Sequence, residues 1–128
     1  DQRRQQAQYF IDALRDYQEI DFQHVPDHCE HAYHLMVSQY DGQSNGHDRD
    51  DLFKIMREKY RVKVVVQYWP LYHSELFRQF GFGEADVPET DRFYASMVSF
   101  PWWSDMGNDL LDDMADRVRR ALDEFRGR

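Results

Sequence analysis

Apolar residues recur at steps of three and four positions at both ends of the chain, which is the spacing of one face of an α-helix. Near the start, this spacing joins Ala7, Phe10, Leu14 and Tyr17 and predicts an amphipathic helix. Toward the end, a longer stripe predicts a second helix and comprises Leu110, Leu111, Met114, Val118, Leu122 and Phe125. We therefore expect the chain to open and close with helices that each bury one face.

Shorter patterns between these helices predict strands. Ile20 and Phe22 flank a polar residue in a short strand, and residues 31–40 form a longer one. Residues 98–100 form a brief strand that Pro101 ends. These three strands would supply most of a small sheet.

A run of β-branched residues in the middle of the chain predicts a further strand. It comprises Val62, Val64, Val65, Val66 and Tyr68. A half-exposed strand would alternate polar with apolar residues, so this one is expected to be covered on both faces. Pro70 ends it, residues 68–73 form a stiff turn, and Ser74 caps a short helix that runs through Phe80.

The end of this strand and the turn after it carry three candidate binding residues, Gln67, Tyr72 and His73. Polar side chains on a loop held by a rigid scaffold are where binding chemistry is commonly found. The alternative interpretation is an aromatic plug between two packed layers, and for Trp69 the two interpretations stay equally open.

Two more helices complete the predicted order. Asp48 or Asp50 caps the first, and the second begins at Pro88. The apolar positions of the two helices are Leu52, Phe53, Met56 and Tyr60, and then Phe93 and Met97. Residues 1–128 are expected to form a single α+β domain. It would be a two-layer α/β sandwich in which helices cover a small, mostly antiparallel sheet of three or four strands.

Composition narrows the possible partners. The net charge is −8, from 16 basic and 24 acidic residues, which argues against a nucleic-acid or anionic-membrane surface. The single cysteine, Cys29, excludes an internal disulfide and is compatible with a reducing, cytoplasmic location. No apolar run approaches the length of a membrane span. The aromatic content of 16% indicates either an aromatic core or a surface that meets a partner.

A cluster of histidines resembles a metal site at first sight. It comprises His24, His28, Cys29, His31 and His34. On a strand over residues 31–40, however, His31 and His34 would point to opposite faces and could not share one ion. We therefore expect no metal site, although His24, His28 and His31 could still meet across a turn.

No residue of this chain is expected to be catalytic by itself. The only lysines, Lys54, Lys59 and Lys63, stand among other charges, so none is expected to be a desolvated amine ready for Schiff-base chemistry. Glycine-rich phosphate loops and Gly-x-Ser-x-Gly elbows are also absent from the sequence.

The order of several short motifs resembles a known family. The motifs are Cys29-Glu30-His31-Ala32-Tyr33-His34-Leu35, Arg49-Asp50-Asp51-Leu52, Val66-Gln67-Tyr68-Trp69-Pro70-Leu71-Tyr72, Phe77-Arg78-Gln79-Phe80-Gly81 and Ser99-Phe100-Pro101. Together with the last helix they resemble the C-terminal small domain of the DegT/DnrJ/StrS family of pyridoxal-phosphate-dependent sugar aminotransferases. The resemblance extends from about residue 31 to residue 125 and implies the small domain of the aspartate aminotransferase type of fold.

The resemblance implies part of an enzyme. In this family a large N-terminal domain holds the Schiff-base lysine and pyridoxal 5′-phosphate (PLP), which this chain alone would not bind. The small domain closes over the site and helps to bind a keto-sugar linked to a nucleotide, or a cyclitol ketone. Glutamate or glutamine supplies the amino group. The implied partners are the large domain, in the same or a separate chain, and a second copy of the full-length enzyme in a homodimer; a sugar dehydratase relative remains an alternative.

The resemblance also implies roles for single residues. Gln67 and Tyr68 would bind substrate hydroxyls, Tyr72 or His73 would lie near a phosphate or ring oxygen, and Trp69 would be packing. Gln67 stands where many members have His, and Tyr72 stands where many have a second His.

Other motif residues have structural roles in this reading. His31 and His34 match the family pattern and are expected to be structural. Trp102 and Trp103 are expected either to contact the large domain or to join the core.

Two other functions remain open at this point. One is a stand-alone binding module without catalysis, which predicts a polar surface where a fragment would expose an apolar patch. The other is a metal-binding regulator that uses the histidine cluster.

Overall fold

The two terminal helices form and pack against each other in the computed structural model, which describes residues 1–127. Helix α1 is Gln2–Leu14 and helix α5 is Asn108–Phe125. The apolar spacing of α1 is confirmed, because Ala7, Phe10 and Leu14 are buried. The stripe of α5 is rotated slightly from the prediction, since Leu110 is 40% exposed. The residues of α5 that are buried are Leu111, Met114, Ala115, Val118, Ala121 and Leu122.

Three antiparallel strands form the sheet, in the order β1-β2-β3. Strand β1 is Ile20–Phe22, β2 is Met36–Tyr40 and β3 is Met97–Phe100. Met36 pairs with Phe100, and both side chains join the core with α1 and α5. Because side chains alternate along a strand, Gln39 and Ser99 lie on the opposite face, which we call the second face.

The predicted fourth strand is wrong. Residues 62–68 contribute one isolated bridge, in which the backbone N–H groups of Val65 and Ser99 bind each other's carbonyl oxygens at 3.0 and 2.9 Å. Val62 and Val64 are buried while Lys63 is exposed, so this segment covers one face of the core only. The segment lies at the outer edge of β3, where strand pairing stops after a single residue. The run of valines is therefore not a strand that is covered on both faces.

The strand expected over residues 31–40 begins five residues later, at Met36. Tyr33 has a positive φ of 45°, which a strand does not accommodate. Its carbonyl oxygen accepts hydrogen bonds from Arg3 Nη1 and from Trp102 Nε1, each at 3.0 Å. These long-range bonds fix residues 31–35 as an irregular segment above the end of the sheet.

The remaining helices lie where the sequence places them. Helix α2 is Arg49–Glu58 and begins with a capping box between Asp48 and Asp51. A 3₁₀ turn at Leu71–His73 and the short helix α3, Glu75–Gln79, follow the Val65 bridge. Helix α4 is Pro88–Ser96 and packs beside β2, where Ser96 Oγ donates to Gln39 Oε1 at 3.2 Å. Met97 is the first residue of β3 rather than part of that helix.

The observed fold is the predicted α+β class, with a three-stranded antiparallel sheet and covering helices. Helices α1 and α5 cover the core face, while α4 and residues 65–67 cover part of the second face. None of the helices within residues 1–127 is long and apolar enough to cross a membrane.

Candidate substrate-binding site

Gln67 is attached to the second face of the sheet. Its Oε1 accepts a hydrogen bond from Ser99 Oγ at 2.9 Å, two residues beyond the backbone bridge at Val65. Ser99 is fully buried, so this bond fixes the side-chain amide firmly. The donor end of the amide, Nε2, makes no hydrogen bond to any other residue of the described chain and is available to a ligand.

Tyr72 is attached to helix α4. Its hydroxyl donates a short hydrogen bond to Asp91 Oδ1. This bond, followed by desolvation and the negative charge of Asp91, raises the pKa of Tyr72 to about 12. The phenol is therefore neutral near pH 7, and its only proton lies on the bond to Asp91. A ligand meets an oxygen that can accept a hydrogen bond.

His73 completes a small aromatic cluster with Tyr72 and Tyr94. Its ring meets the ring of Tyr72 edge-on at 4.7 Å and that of Tyr94 edge-on at 5.2 Å. Arg49 lies behind this cluster. Its Nη1 donates to the Tyr94 carbonyl oxygen at 2.7 Å, and its guanidinium lies 5.3 Å from the ring centre of Phe53. The side chain of Arg49 is only 14% exposed, so it supports the cluster from the inside.

Tyr68 and Trp69 project outward, at 70% and 65% exposure. They begin a segment, residues 68–82, which we call the arm. Six of its large apolar side chains are 58–71% exposed, namely Tyr68, Trp69, Leu71, Leu76, Phe80 and Phe82. Helix α3 packs chiefly on the preceding 3₁₀ turn, and the arm meets the body of the fold at Tyr72 and His73, which contact α4. Exposed apolar patches of this kind mark interaction sites.

The structure brings two of the four predicted site residues into contact. Tyr72 and His73 touch each other, whereas no hydrogen bond or ring contact within residues 1–127 joins Gln67 or Tyr68 to them. A large depression of the surface lies elsewhere, over β1, β2 and α4, and contains none of the four. It is open and lined by charges of both signs, among them Asp21 and Arg92.

Sequence reasoning assigned no role to the partners that hold the site. Ser99 and Arg49 stand in motifs that were recognised, so their positions carried a signal. No signal in the sequence marked Asp91, because Asp91 lies nineteen residues after Tyr72 and only the folded path of the chain brings the two together.

The two tryptophans after β3 have different environments. Trp102 packs at the edge of the core, with its ring centre 6.4 Å from that of Phe10. Trp103 is 49% exposed and lies in a shallow groove beside Met106 and Leu110. The expected core role therefore applies to Trp102, and Trp103 keeps a face open to a partner.

The histidine cluster does not assemble. No group of three histidine, cysteine, aspartate or glutamate side chains within residues 1–127 is arranged to hold a metal ion. His31 has a local structural role, since its Nδ1 accepts the Tyr33 backbone N–H at 3.0 Å and its ring packs on Tyr33. Because these residues precede β2, the argument from opposite strand faces does not apply to them.

The lysines do not fit a cofactor that requires a neutral amine. Lys59 forms an ion pair with Glu124, which raises the pKa of Lys59 and keeps it protonated. Lys54 and Lys63 are exposed. A Schiff base forms from a desolvated, uncharged lysine, so none of the three is suited to hold PLP, and no chemical step is assigned to them.

The DegT/DnrJ/EryC1/StrS aminotransferase family matches residues 1–119, and the chain belongs to this family of PLP-dependent enzymes. A relative in Bacillus subtilis (strain 168), the spore coat polysaccharide biosynthesis protein SpsC, is 32% identical over 96 residues, which is 74% of this chain and 25% of SpsC. The dTDP-3-amino-3,4,6-trideoxy-alpha-D-glucose transaminase of Micromonospora megalomicea subsp. nigra is 27% identical over 124 residues, or 94% of this chain and 32% of that enzyme.

The fold is also that of a sugar aminotransferase segment. Helicobacter pylori PseC, an aminotransferase involved in the biosynthesis of pseudoaminic acid, superposes with a TM-score of 0.80 at 17% identity. The match covers 96% of this chain and 32% of PseC. The chain thus spans a quarter to a third of the length of these relatives.

Proposed function

We propose that this chain is the substrate-side small domain of a PLP-dependent aminotransferase that acts on a nucleotide-linked keto-sugar in amino-sugar biosynthesis. The amino donor would be glutamate or glutamine. A large domain, in the same or a separate chain, would hold the cofactor, and the full-length enzyme would be a homodimer. Family membership and a relative named as a dTDP-amino-sugar transaminase support this proposal.

The exposed arm is the observation that carries the domain assignment. An independent module would be expected to cover its apolar groups, whereas residues 68–82 expose six large ones and contain only two charged residues, Glu75 and Arg78. Burial of such side chains against a partner removes apolar surface from water, which favours association. The large domain is therefore the proposed occupant of the arm.

Gln67, Tyr68, Tyr72 and His73 are the proposed substrate-binding residues. Gln67 offers a donor N–H group on a fixed amide, and Tyr72 offers an acceptor oxygen. These are the groups that recognise sugar hydroxyls, each of which both donates and accepts. Tyr68 is close in sequence to both and is exposed enough to meet a ligand.

The test begins with the complete polypeptide that the native gene encodes. Its intact mass should exceed that of this chain about threefold, or it should co-purify with a lysine-bearing partner chain. The purified protein should show the visible absorbance of bound PLP, which glutamate or glutamine should remove. A gene product that ends at these residues and binds no PLP with any partner would contradict the proposal.

A variant of the arm tests the docking surface separately. Leu76→Ser combined with Phe80→Ser should lower PLP-dependent activity about tenfold or more, because both side chains would lose their buried contacts. The matched control is Tyr9→Ser combined with Leu110→Ser, which removes two partly exposed apolar groups outside the arm. Equal losses from both pairs would show that the arm has no special role.

A further inference from the structure

We propose that Asp91 is a positioning residue that holds the Tyr72 hydroxyl as a hydrogen-bond acceptor for a hydroxyl group of the sugar, and not for the phosphates of the nucleotide. This inference rests on the proposed function and adds to it the part of the substrate that Tyr72 meets. It also assigns a role to a residue of α4 that no motif marks.

The geometry of the phenol decides which ligand groups it can receive. A tyrosine hydroxyl has one proton and two lone pairs. The proton is committed to Asp91 Oδ1, and the raised pKa of Tyr72 keeps that proton in place at neutral pH. The lone pairs that remain can accept from a hydroxyl or an ammonium group. They cannot bind a phosphate oxygen, which itself requires a donor.

The charges near Tyr72 also disfavour a phosphate group. The carboxylate of Asp91 binds the phenol oxygen directly, and a phosphate placed there would meet a negative charge. Arg49, the cation behind the cluster, is occupied by the Tyr94 carbonyl oxygen and by Asp50. Arg92, one residue after Asp91, is paired with Glu89. A neutral ring that carries hydroxyl groups is thus the ligand that the surroundings of Tyr72 favour.

A second tyrosine–aspartate pair provides an internal control. The Tyr9 hydroxyl donates to Asp112 Oδ1 at 2.9 Å between α1 and α5, on a part of the fold remote in sequence from the arm. That bond also raises the pKa of its tyrosine. The chemistry of the two pairs is the same, so any difference in ligand binding between variants of the two pairs reflects location and not hydrogen bonding in general.

The experiment uses the full-length protein loaded with PLP. Binding of dTDP-glucose and UDP-glucose is measured by calorimetry and compared with binding of dTDP and UDP, which lack the sugar. Tyr72→Phe should weaken binding of the preferred nucleotide sugar about 3- to 10-fold, the effect of one hydrogen bond, and should leave binding of its diphosphate unchanged. Tyr9→Phe should change neither.

The role of Asp91 is tested by asking whether the effect of its substitution requires the Tyr72 hydroxyl. Asp91→Ala should weaken binding of the nucleotide sugar to a similar extent. The same substitution made together with Tyr72→Phe should weaken binding no further than Tyr72→Phe alone. Asp91→Glu should restore part of the affinity. Asp86→Asn, which removes an exposed negative charge just ahead of the same helix, should leave binding unchanged.

Three results would overturn the inference. One is an equal loss of affinity for the nucleotide sugar and its diphosphate, another is no loss for either, and the third is wild-type protein that binds neither nucleotide sugar. Failure of the proposed function is read independently, as the absence of bound PLP or of any response of its absorbance to glutamate and glutamine.

Discussion

The body of the domain and the arm contain similar apolar side chains and use them in opposite ways. In the body, Phe10, Phe100 and Leu122 are at most 3% exposed, because α1, α5 and the sheet bury one another. In the arm, Phe80 and Phe82 are 71% and 64% exposed. Apolar residues therefore stabilise the fold only where the same chain supplies the opposing surface, and residues 1–127 supply little of that surface to the arm.

The largest effect should come from the interior of the body. Leu111→Ala removes a fully buried side chain and should lower the free energy of unfolding by about 2–5 kcal/mol. Leu110→Ala, one residue away and 40% exposed, should cost less than about 1 kcal/mol. Urea unfolding of this chain, followed by tryptophan fluorescence, measures both. Similar losses would mean that α5 is not rotated as described.

The arm should respond in the opposite way. Phe80→Ser should change the free energy of unfolding of this chain by no more than about 0.5 kcal/mol, because the side chain has few partners to lose. Self-association measured by light scattering should fall, since an exposed apolar group is removed. Phe100→Ser, in the core, is the control and should prevent stable folding. A large destabilisation by Phe80→Ser would contradict the contrast between arm and body.

The smallest expected effect is the contribution of Glu124, on the polar surface of the body, to the free energy of unfolding. Hydrogen bonds from Lys59 and Tyr60 lower the pKa of Glu124 below its usual value of 4.5. The charged carboxylate is thus favoured in the folded state, so its contribution is present above about pH 4.5 and disappears as the pH falls through the lowered value. The difference in unfolding free energy between wild type and Glu124→Gln should be larger at pH 7 than at pH 3. A difference of the same size at pH 7 and pH 3 would contradict this prediction.

The same contrast explains what the sequence could predict. The presence of α1 and the helix cap at Asp48 follow from local patterns, and both are confirmed. The inclusion of Tyr17 in the first helix is wrong, because α1 ends at Leu14. The run from Val62 to Val66 was misread, because a row of valines does not reveal whether a second strand continues beside it. Only Ser99 pairs with it, at Val65. Contacts between distant residues decide such cases.

The sequence indicated where the candidate site residues lie along the chain, but not which other residues hold them by hydrogen bonds. The sequence predicts Gln67 and Tyr68 at the end of a strand and residues 68–73 on the turn after it, whereas in the structure the four residues follow an isolated bridge at Val65. Their assignment as substrate-binding residues stays a prediction. The bond from Tyr72 to Asp91 could not be foreseen, since no local pattern relates a turn to a helix that begins fifteen residues after it.

The bond from Ser99 to Gln67 bears on how the domain behaves in acid. Many relatives are expected to have an imidazole at the position of Gln67, and an imidazole gains its charge between about pH 5 and 8. A side-chain amide does not titrate in that range, and its hydrogen bond to the buried Ser99 holds it against the sheet. Gln67 therefore presents the same neutral N–H group in weakly acidic and neutral surroundings alike.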